Sequence, residues 1–355
     1  MKQLRIGLVG TGWRSHFFIR IAQMLPERFQ IVGAVYRSEH GRETALRWGV
    51  PGFANHQALV DLAPDYVILS VDRDSMGGLM RFYARHGVPL LIETFPAKDV
   101  DELLGLYHDL TGAKIQAAEQ YPWQPLNAAR LALANSGILG RVYQMQTSLP
   151  NGYHAVSVQR KLLHAGQRCP VIRANRYTHA MADGPNRSGD PTEDKLVDAK
   201  QTLYQLDYGD RQAINDLEDN QHRSFIRTQH WVIRGERCEL RGEDVLYLKE
   251  LLTPCRFTLE RVMAGEGQNL EGLYLRGVRG GSHGWYYQNP YIPARLFDDE
   301  IAVAACMDRM GTYLETGEAF YPLEEELMDL YLALMIQKAA DEDRPLEVQP
   351  QPWTE

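Results

Sequence analysis

The spacing richest in chemistry is Gly10-Thr11-Gly12, followed at once by Trp13, Arg14 and Ser15. A glycine at the first position permits a tight turn, and a second two residues on lets the backbone come close to a pyrophosphate. The apolar run Leu4–Val9 lies directly upstream, and an amphipathic stretch, 17–24, follows. A G-x-G between a buried strand and a helix N-terminus offers N–H groups and the positive end of a helix dipole to an anion. The context predicts a dinucleotide-binding turn, with Gly10, Thr11, Gly12, Trp13 and Arg14 against the ligand. The bland alternative is a glycine turn that binds nothing. Ser15 stands where a third glycine would allow the closest packing, so a slightly wider helix–strand contact is expected.

A second position reads the nature of that ligand. In a dinucleotide fold the end of the second strand meets the adenosine ribose. An acid there takes the 2′-OH of NAD, whereas an arginine accommodates the 2′-phosphate of NADP. Here the apolar run 30–35 ends in Tyr36-Arg37-Ser38, with the acid delayed to Glu39. Arg37 can pair with a phosphate through two N–H groups and Ser38 can donate to it. NAD(P) is therefore the expected cofactor, with NADP favoured over NAD. Arg37 reads alternatively as a solvated loop charge.

These residues need a scaffold, and the N-terminal third has the pattern of one. Apolar runs at 4–9, 30–35, 65–71, 89–93 and 114–118 alternate with helical stretches at 17–24, 41–48, 79–86 and 100–110. Continuous apolar runs between helices signal parallel strands buried on both faces. After a helix at 126–135 the texture changes. Runs at 141–148, 199–208, 224–234 and 237–241 alternate apolar with polar residues, which suits antiparallel strands with one covered face. A polar stretch, 183–194, reads as an excursion loop, two helices follow at 299–316 and 323–340, and the chain closes on a Pro-rich tail, 345–352. The predicted fold class is α/β. A doubly wound parallel sheet of Rossmann type over 1–120 would be joined to an α+β domain over 121–355 with a large open, mainly antiparallel sheet.

Composition narrows the function classes. A chain of 355 residues has room for two domains, and 44% hydrophobic with 24% charged residues is the balance of a globular protein with a sizeable core. A net charge of −8 argues against a nucleic-acid surface, which needs excess Lys and Arg. Cys169, Cys238, Cys255 and Cys306 lack the short paired spacing of a metal site or disulfide framework, so they read as reduced thiols and no metal is expected. With no leader-like or bilayer-length apolar segment, the expected location is cytoplasmic and no membrane partner is expected.

The whole chain resembles the Gfo/Idh/MocA family of oxidoreductases. The resemblance is carried by Ile6-Gly7-Leu8-Val9-Gly10-Thr11-Gly12, the strand end Ile92-Glu93-Thr94-Phe95-Pro96, the junction Ala118-Glu119-Gln120-Tyr121, and a helical segment from Gly152-Tyr153-His154 to Leu163. It implies further cofactor contacts at Ser70, Val71, Asp72, Glu93, Thr94, Glu119 and Gln120. A substrate domain with an oligomer contact on its sheet follows, giving a homo-oligomer (dimer or tetramer). The family usually carries Glu-Lys-Pro after the fourth strand, and here Thr94 occupies the lysine position. A threonine hydroxyl can hydrogen-bond to ribose, nicotinamide or substrate but supplies no ammonium group. A second family motif sets an Asp four residues before a His, and here Pro150 and His154 hold those places, with Ser157 at the usual downstream acid. A histidine exchanges protons near neutral pH, which makes His154 the expected acid/base, with Tyr153 and Lys161 as substitutes. Lys161 reads alternatively as a solvated helix charge beside Arg160.

Two other clusters are open. Arg173 to His179 reads either as a hydroxyl- and carboxylate-binding wall of a sugar pocket or as a solvated loop. The aromatic run His283 to Tyr291 reads as core or interface before sugar stacking. The implied activity is NAD(P)-dependent hydride transfer on a sugar, cyclitol or related polyol. The alternatives are glycoside cleavage through transient oxidation by bound NAD, and a dinucleotide-binding pseudoenzyme.

Overall fold

Tyr66, Val67, Ile68, Leu69, Leu90, Leu91 and Ile92 have no exposed surface, because the strands they form are covered on both faces. The computed structural model describes residues 2–94, 96–149, 152–186, 189–219, 221–265 and 273–354. Phe95 and Pro150, quoted above for the resemblance, lie outside the described residues. The chain divides into two compact units: 1–127 with 261–277 and 288–327, and 128–260 with 278–287 and 328–355.

In the first unit, β1 (Leu4–Val9), β2 (Phe29–Val35), β3 (Gly52–Phe53), β4 (Tyr66–Leu69), β5 (Leu90–Ile92) and β6 (Ile115–Ala117) form one sheet in the order β3-β2-β1-β4-β5-β6. Every neighbouring pair is parallel. This is the strand order of a doubly wound dinucleotide fold, with its switch point between β1 and β4. The connecting helices are α1 (Trp13–Met24), α2 (Glu39–Trp48), α3 (His56–Val60), α4 (Arg73–Arg85) and α5 (Val100–Leu110). Four of them begin under a side-chain cap: Ser38 for α2, Asn55 for α3, Asp72 for α4 and Asp99 for α5. α1 begins at Gly12 with no side-chain cap.

The second texture in the sequence folds as predicted in class. α6 (Pro125–Asn135) leads into β7 (Val142–Ser148), and α7 (Gly152–Leu162) returns before the long antiparallel pair β8 (Val171–Ala182) and β9 (Leu196–Asp207). β10 (Gln212–Glu218), β11 (His230–Gly235), β12 (Cys238–Arg241), β13 (Asp244–Glu250) and β14 (Thr253–Thr258) follow. A smaller sheet holds β15 (Glu260–Ala264), β16 (Tyr274–Arg279) and β17 (Trp285–Gln288), after which come α8 (Asp298–Thr316), α9 (Leu323–Glu342) and β18 (Leu346–Glu347). The large sheet runs β14-β13-β12-β11-β7-β10-β9-β8-β18, and within it β7 and β10 are parallel. The strand expected from residue 224 begins at His230, and the segment before it is a loop with exposed Phe225 and Ile226. No helix among the described residues is long and apolar enough to cross a membrane.

Candidate functional site

Gly10 has φ +108°, and a β-carbon there would stand 2.1 Å from the carbonyl oxygen of Ser70. Only glycine fits that turn. At Gly12 a β-carbon would meet nothing within 4 Å, so the second glycine leaves open space where the backbone can be approached. Ladder bonds carry the strands into this edge: Gly10 N donates to Val35 O and Ser70 N to Val9 O. Ser15 is completely buried at the start of α1, and its Oγ has no hydrogen-bond partner. Trp13 is exposed and meets the ring of Phe17 edge-on. Thr11 lies against the first turn of α2, where its Oγ1 is 2.6 Å from the place a β-carbon on Gly41 would take.

The other predicted cofactor residues follow β2, β4, β5 and β6 at this same carboxyl edge. After β2, Ser38 Oγ accepts from Gly41 N as the cap of α2, and its O–H remains a donor. Arg37 is well exposed and its Nη1 donates to Asp72 Oδ2 at 3.0 Å. Asp72 also accepts from Ser75 N and Oγ, and these bonds with Arg37 hold its carboxyl below the ordinary range. Ser70 and Val71 connect β4 to that cap.

After β5, Glu93 and Thr94 follow, and Glu93 N donates to Leu69 O. Arg14 Nε donates to Glu93 Oε1 at 2.8 Å, tying the first turn of α1 to the residue before Thr94. Burial alone would lower the Arg14 pKa, but Glu93 outweighs it and the group stays charged above its ordinary value. Arg14 Nη2 is buried with no hydrogen-bond partner. After β6, Glu119 is buried and accepts from Tyr121 N, while Gln120 Oε1 is buried with no partner. Cys306 of α8 is buried here, its Sγ directed at Glu119 O, and burial pushes the thiol far above its ordinary pKa. It is an inert thiol.

The predicted acid/base residues lie on α7 in the second unit. His154 is buried, and its ring lies 4.1 Å from that of Tyr153, centroid to centroid. His154, Ser157 and Lys161 fall on one face by helical spacing, and Lys161 is half-buried. Arg160 belongs to another face and is no solvated charge: it forms a buried ion pair with Asp329 of α9 and donates to Gly166 O. Gln159 points at the sheet, where it meets Thr147 and Ile214.

The run from Arg173 to His179 is part of β8 and not a loop. Arg173, Asn175, Arg176 and His179 bond to Asp207, Asp343, Asp341, Gln337 and Glu218, and Tyr177 is exposed. In the aromatic run, Tyr286 stacks on Phe257 and His283 lies against Phe257 and Tyr247, but His283 and Trp285 are exposed and within the run only Asn289 and Tyr291 are buried, so the core reading fits the end of the run alone. Sequence reasoning missed the Arg14–Glu93 bond, the Arg160–Asp329 pair and the polar network beneath α7. No local signal marks these, since the partners are 79, 169 and up to 68 residues apart.

No protein-family model and no curated protein sequence matches the chain. Solved structures do share its fold over nearly the full length. Levoglucosan dehydrogenase, in complex with NADH and L-sorbose, is 14% identical over 99% of this chain and 100% of that one, with a TM-score of 0.69. An oxidoreductase from Agrobacterium radiobacter, in complex with NAD+, L-tartaric acid and magnesium, is 16% identical over 97% of this chain and 98% of that one, with a TM-score of 0.68. A myo-inositol dehydrogenase from Corynebacterium glutamicum ATCC 13032 is 15% identical over 98% of this chain and 100% of that one, with a TM-score of 0.67. At these identities the likeness is one of fold.

Proposed function

We propose that this chain is an NAD(P)-dependent oxidoreductase acting on a sugar, cyclitol or related polyol, with NADP the favoured cofactor. The observation that carries the reading is the start of α1. Of the five helices α1 to α5 it alone lacks a side-chain cap, and it follows a turn whose first glycine is sterically required and whose second stands open. That combination leaves a helix N-terminus to a ligand, and its dipole favours an anionic one.

The residues present fit a dinucleotide. Gly10, Thr11, Gly12, Trp13 and Arg14 would hold the pyrophosphate end, and Arg37 with Ser38 the 2′-phosphate. Ser70, Val71, Asp72, Glu93, Thr94, Glu119 and Gln120 complete the same carboxyl edge. When bound, a nicotinamide dinucleotide supplies a hydride donor or acceptor at C4 of its ring. Oxidising a carbinol also releases the hydroxyl proton, and a ring nitrogen of His154 takes it, or returns it in the reverse direction. Thr94 orients by hydrogen bonding and does not carry charge.

Fluorescence titration with NADPH and NADH, then turnover on a panel of polyols followed by the absorbance of the reduced nicotinamide, tests this reading. His154→Asn should lower kcat by about 10²- to 10⁴-fold with the dinucleotide Kd unchanged. Arg37→Ala should weaken NADPH binding and leave NADH binding alone. Absence of dinucleotide binding overturns the proposal. Product formed without net change in absorbance transfers the chain to transient-oxidation glycoside cleavage, and binding without turnover to a pseudoenzyme.

A further inference from the structure

A row of uncharged side chains lies between α7 and the strands beneath it. Tyr204 O–H donates to Gln159 Oε1 at 3.1 Å, and Gln159 Nε2 donates to Thr147 Oγ1 at 2.8 Å. Thr147 O–H donates to Asn215 Oδ1 at 2.7 Å, and Asn215 Nδ2 reaches Leu149 O at 3.4 Å. Three side bonds complete it: Gln159 Nε2 to Ile214 O at 3.0 Å, Thr147 Oγ1 to Ile214 O at 3.4 Å, and Leu149 N to Asn215 Oδ1 at 3.1 Å. Every donor in the row points the same way, an arrangement in which each bond polarises the next. Thr147, Gln159 and Asn215 have no exposed surface.

The row holds the chain at two points, one on each side of His154. Asn215 grips both backbone groups of Leu149, the last described residue before α7, and Gln159 fixes α7 from the other side. Thr147 joins the two grips, accepting from one amide and donating to the other. His154 lies in the segment between them. A group meant to transfer protons needs a fixed position that survives its own change of charge. A clamp made of carboxylates or amines would shift as the imidazole titrates, whereas hydroxyl and amide groups do not change charge over the physiological range.

We infer that Thr147, Gln159 and Asn215 are positioning residues for His154, setting its place through the ends of the segment that carries it. The inference rests on the role of His154 in the proposed function. Its test reads the histidine itself and requires no known substrate. Carbethoxylation by diethyl pyrocarbonate, followed by mass spectrometry peptide by peptide, measures how often His154 becomes accessible in the ligand-free protein. Thr147→Val removes every hydroxyl bond at the joint and keeps the branched shape, and should raise the His154 labelling rate by about tenfold, the scale of one to two lost hydrogen bonds. Thr147→Ser keeps the hydroxyl and should label as the wild type, and other histidines should be unaffected in both. Gln159→Met, which cuts only the α7 side, should also accelerate labelling. Unchanged labelling of His154 in Thr147→Val and Gln159→Met overturns the inference. So does loss of folded protein in both when Thr147→Ser folds, since the row then serves stability alone. Failure of the underlying reading appears elsewhere, as intact turnover in His154→Asn, whatever the labelling rates.

Discussion

Two glycines two residues apart in the turn after β1 do different work, and substitution separates them. Gly10 is held at φ +108° with the Ser70 carbonyl 2.1 Å from its missing β-carbon, so Gly10→Ala must displace the end of β4. The left-handed backbone alone costs about 1–3 kcal/mol, and the clash adds to it, so the melting temperature should fall clearly. Gly12 has φ −82° and ψ −176°, which alanine adopts freely, and its β-carbon would enter open space. Gly12→Ala should therefore keep or raise the melting temperature, with a stability gain of about 0.4–1 kcal/mol, because it restricts the unfolded chain. Its methyl would occupy the space assigned to the pyrophosphate, so dinucleotide affinity should drop by more than about tenfold. Calorimetry of both variants with and without NADPH decides the point. A Gly12→Ala protein that binds like the wild type removes the ligand from this turn. The requirement for Gly10 was legible in sequence because turn chemistry is local. The partner of Arg14 was not, because Glu93 reaches it only once β1 and β5 share a sheet.

At the scale of elements, α7 is held to α9 by the buried pair Arg160 and Asp329, each side chain about 2% exposed. Removing one partner leaves an uncompensated charge away from water, so Asp329→Ala should destabilise by about 3–5 kcal/mol. Replacing both, as Arg160→Met with Asp329→Leu, should recover most of the loss, because the cost of burying the ions disappears with them. Urea midpoints at constant m-value check this, and equal losses in the single and double variants would contradict it. The same helix shows where a linear reading stops. Its extent was legible from the family resemblance, which set a helical segment from Gly152 to Leu163. Arg160 and Lys161 are neighbours in sequence, yet about 100° apart around the helix, so one is buried in an ion pair and the other half-exposed. The run 173–179 misled for a related reason. Its many polar residues resemble a loop, but they form β8, whose 12-residue register with β9 is a non-local pairing. The N-terminal alternation of strand and helix was easier, since parallel strands buried on both faces leave continuous apolar runs.

At the scale of the molecule, the compact unit that holds the six-stranded parallel sheet is not a contiguous piece of chain. The first compact unit takes residues 1–127 but also 261–277 and 288–327. α8, in the last of these, carries Ile301, Val303, Met307 and Met310, all fully buried. Leu4 packs so closely on Gly311 that a β-carbon there would lie 2.7 Å away, and Tyr66 O–H donates to Met307 O at 3.2 Å. Arg20 pairs with Glu300 and Arg28 with Asp308. The segment after α8 also covers the outer edge of β6: Ala117 N donates to Tyr321 O, and Gln116 Oε1 accepts from Phe320 N and Tyr321 N. A fragment of 1–127 would expose the apolar surface under α8 and the unpaired edge of β6, both of which promote aggregation. It should show no cooperative thermal transition and should bind no dinucleotide. A chimera in which 288–327 follows residue 127 through a flexible linker restores those contacts and should melt cooperatively, with a midpoint raised by NADPH. Circular dichroism melts of the two proteins are the measurement. If 1–127 alone melts cooperatively and binds NADPH as tightly as the full chain, α8 is a covering element and not a part of the dinucleotide fold's core.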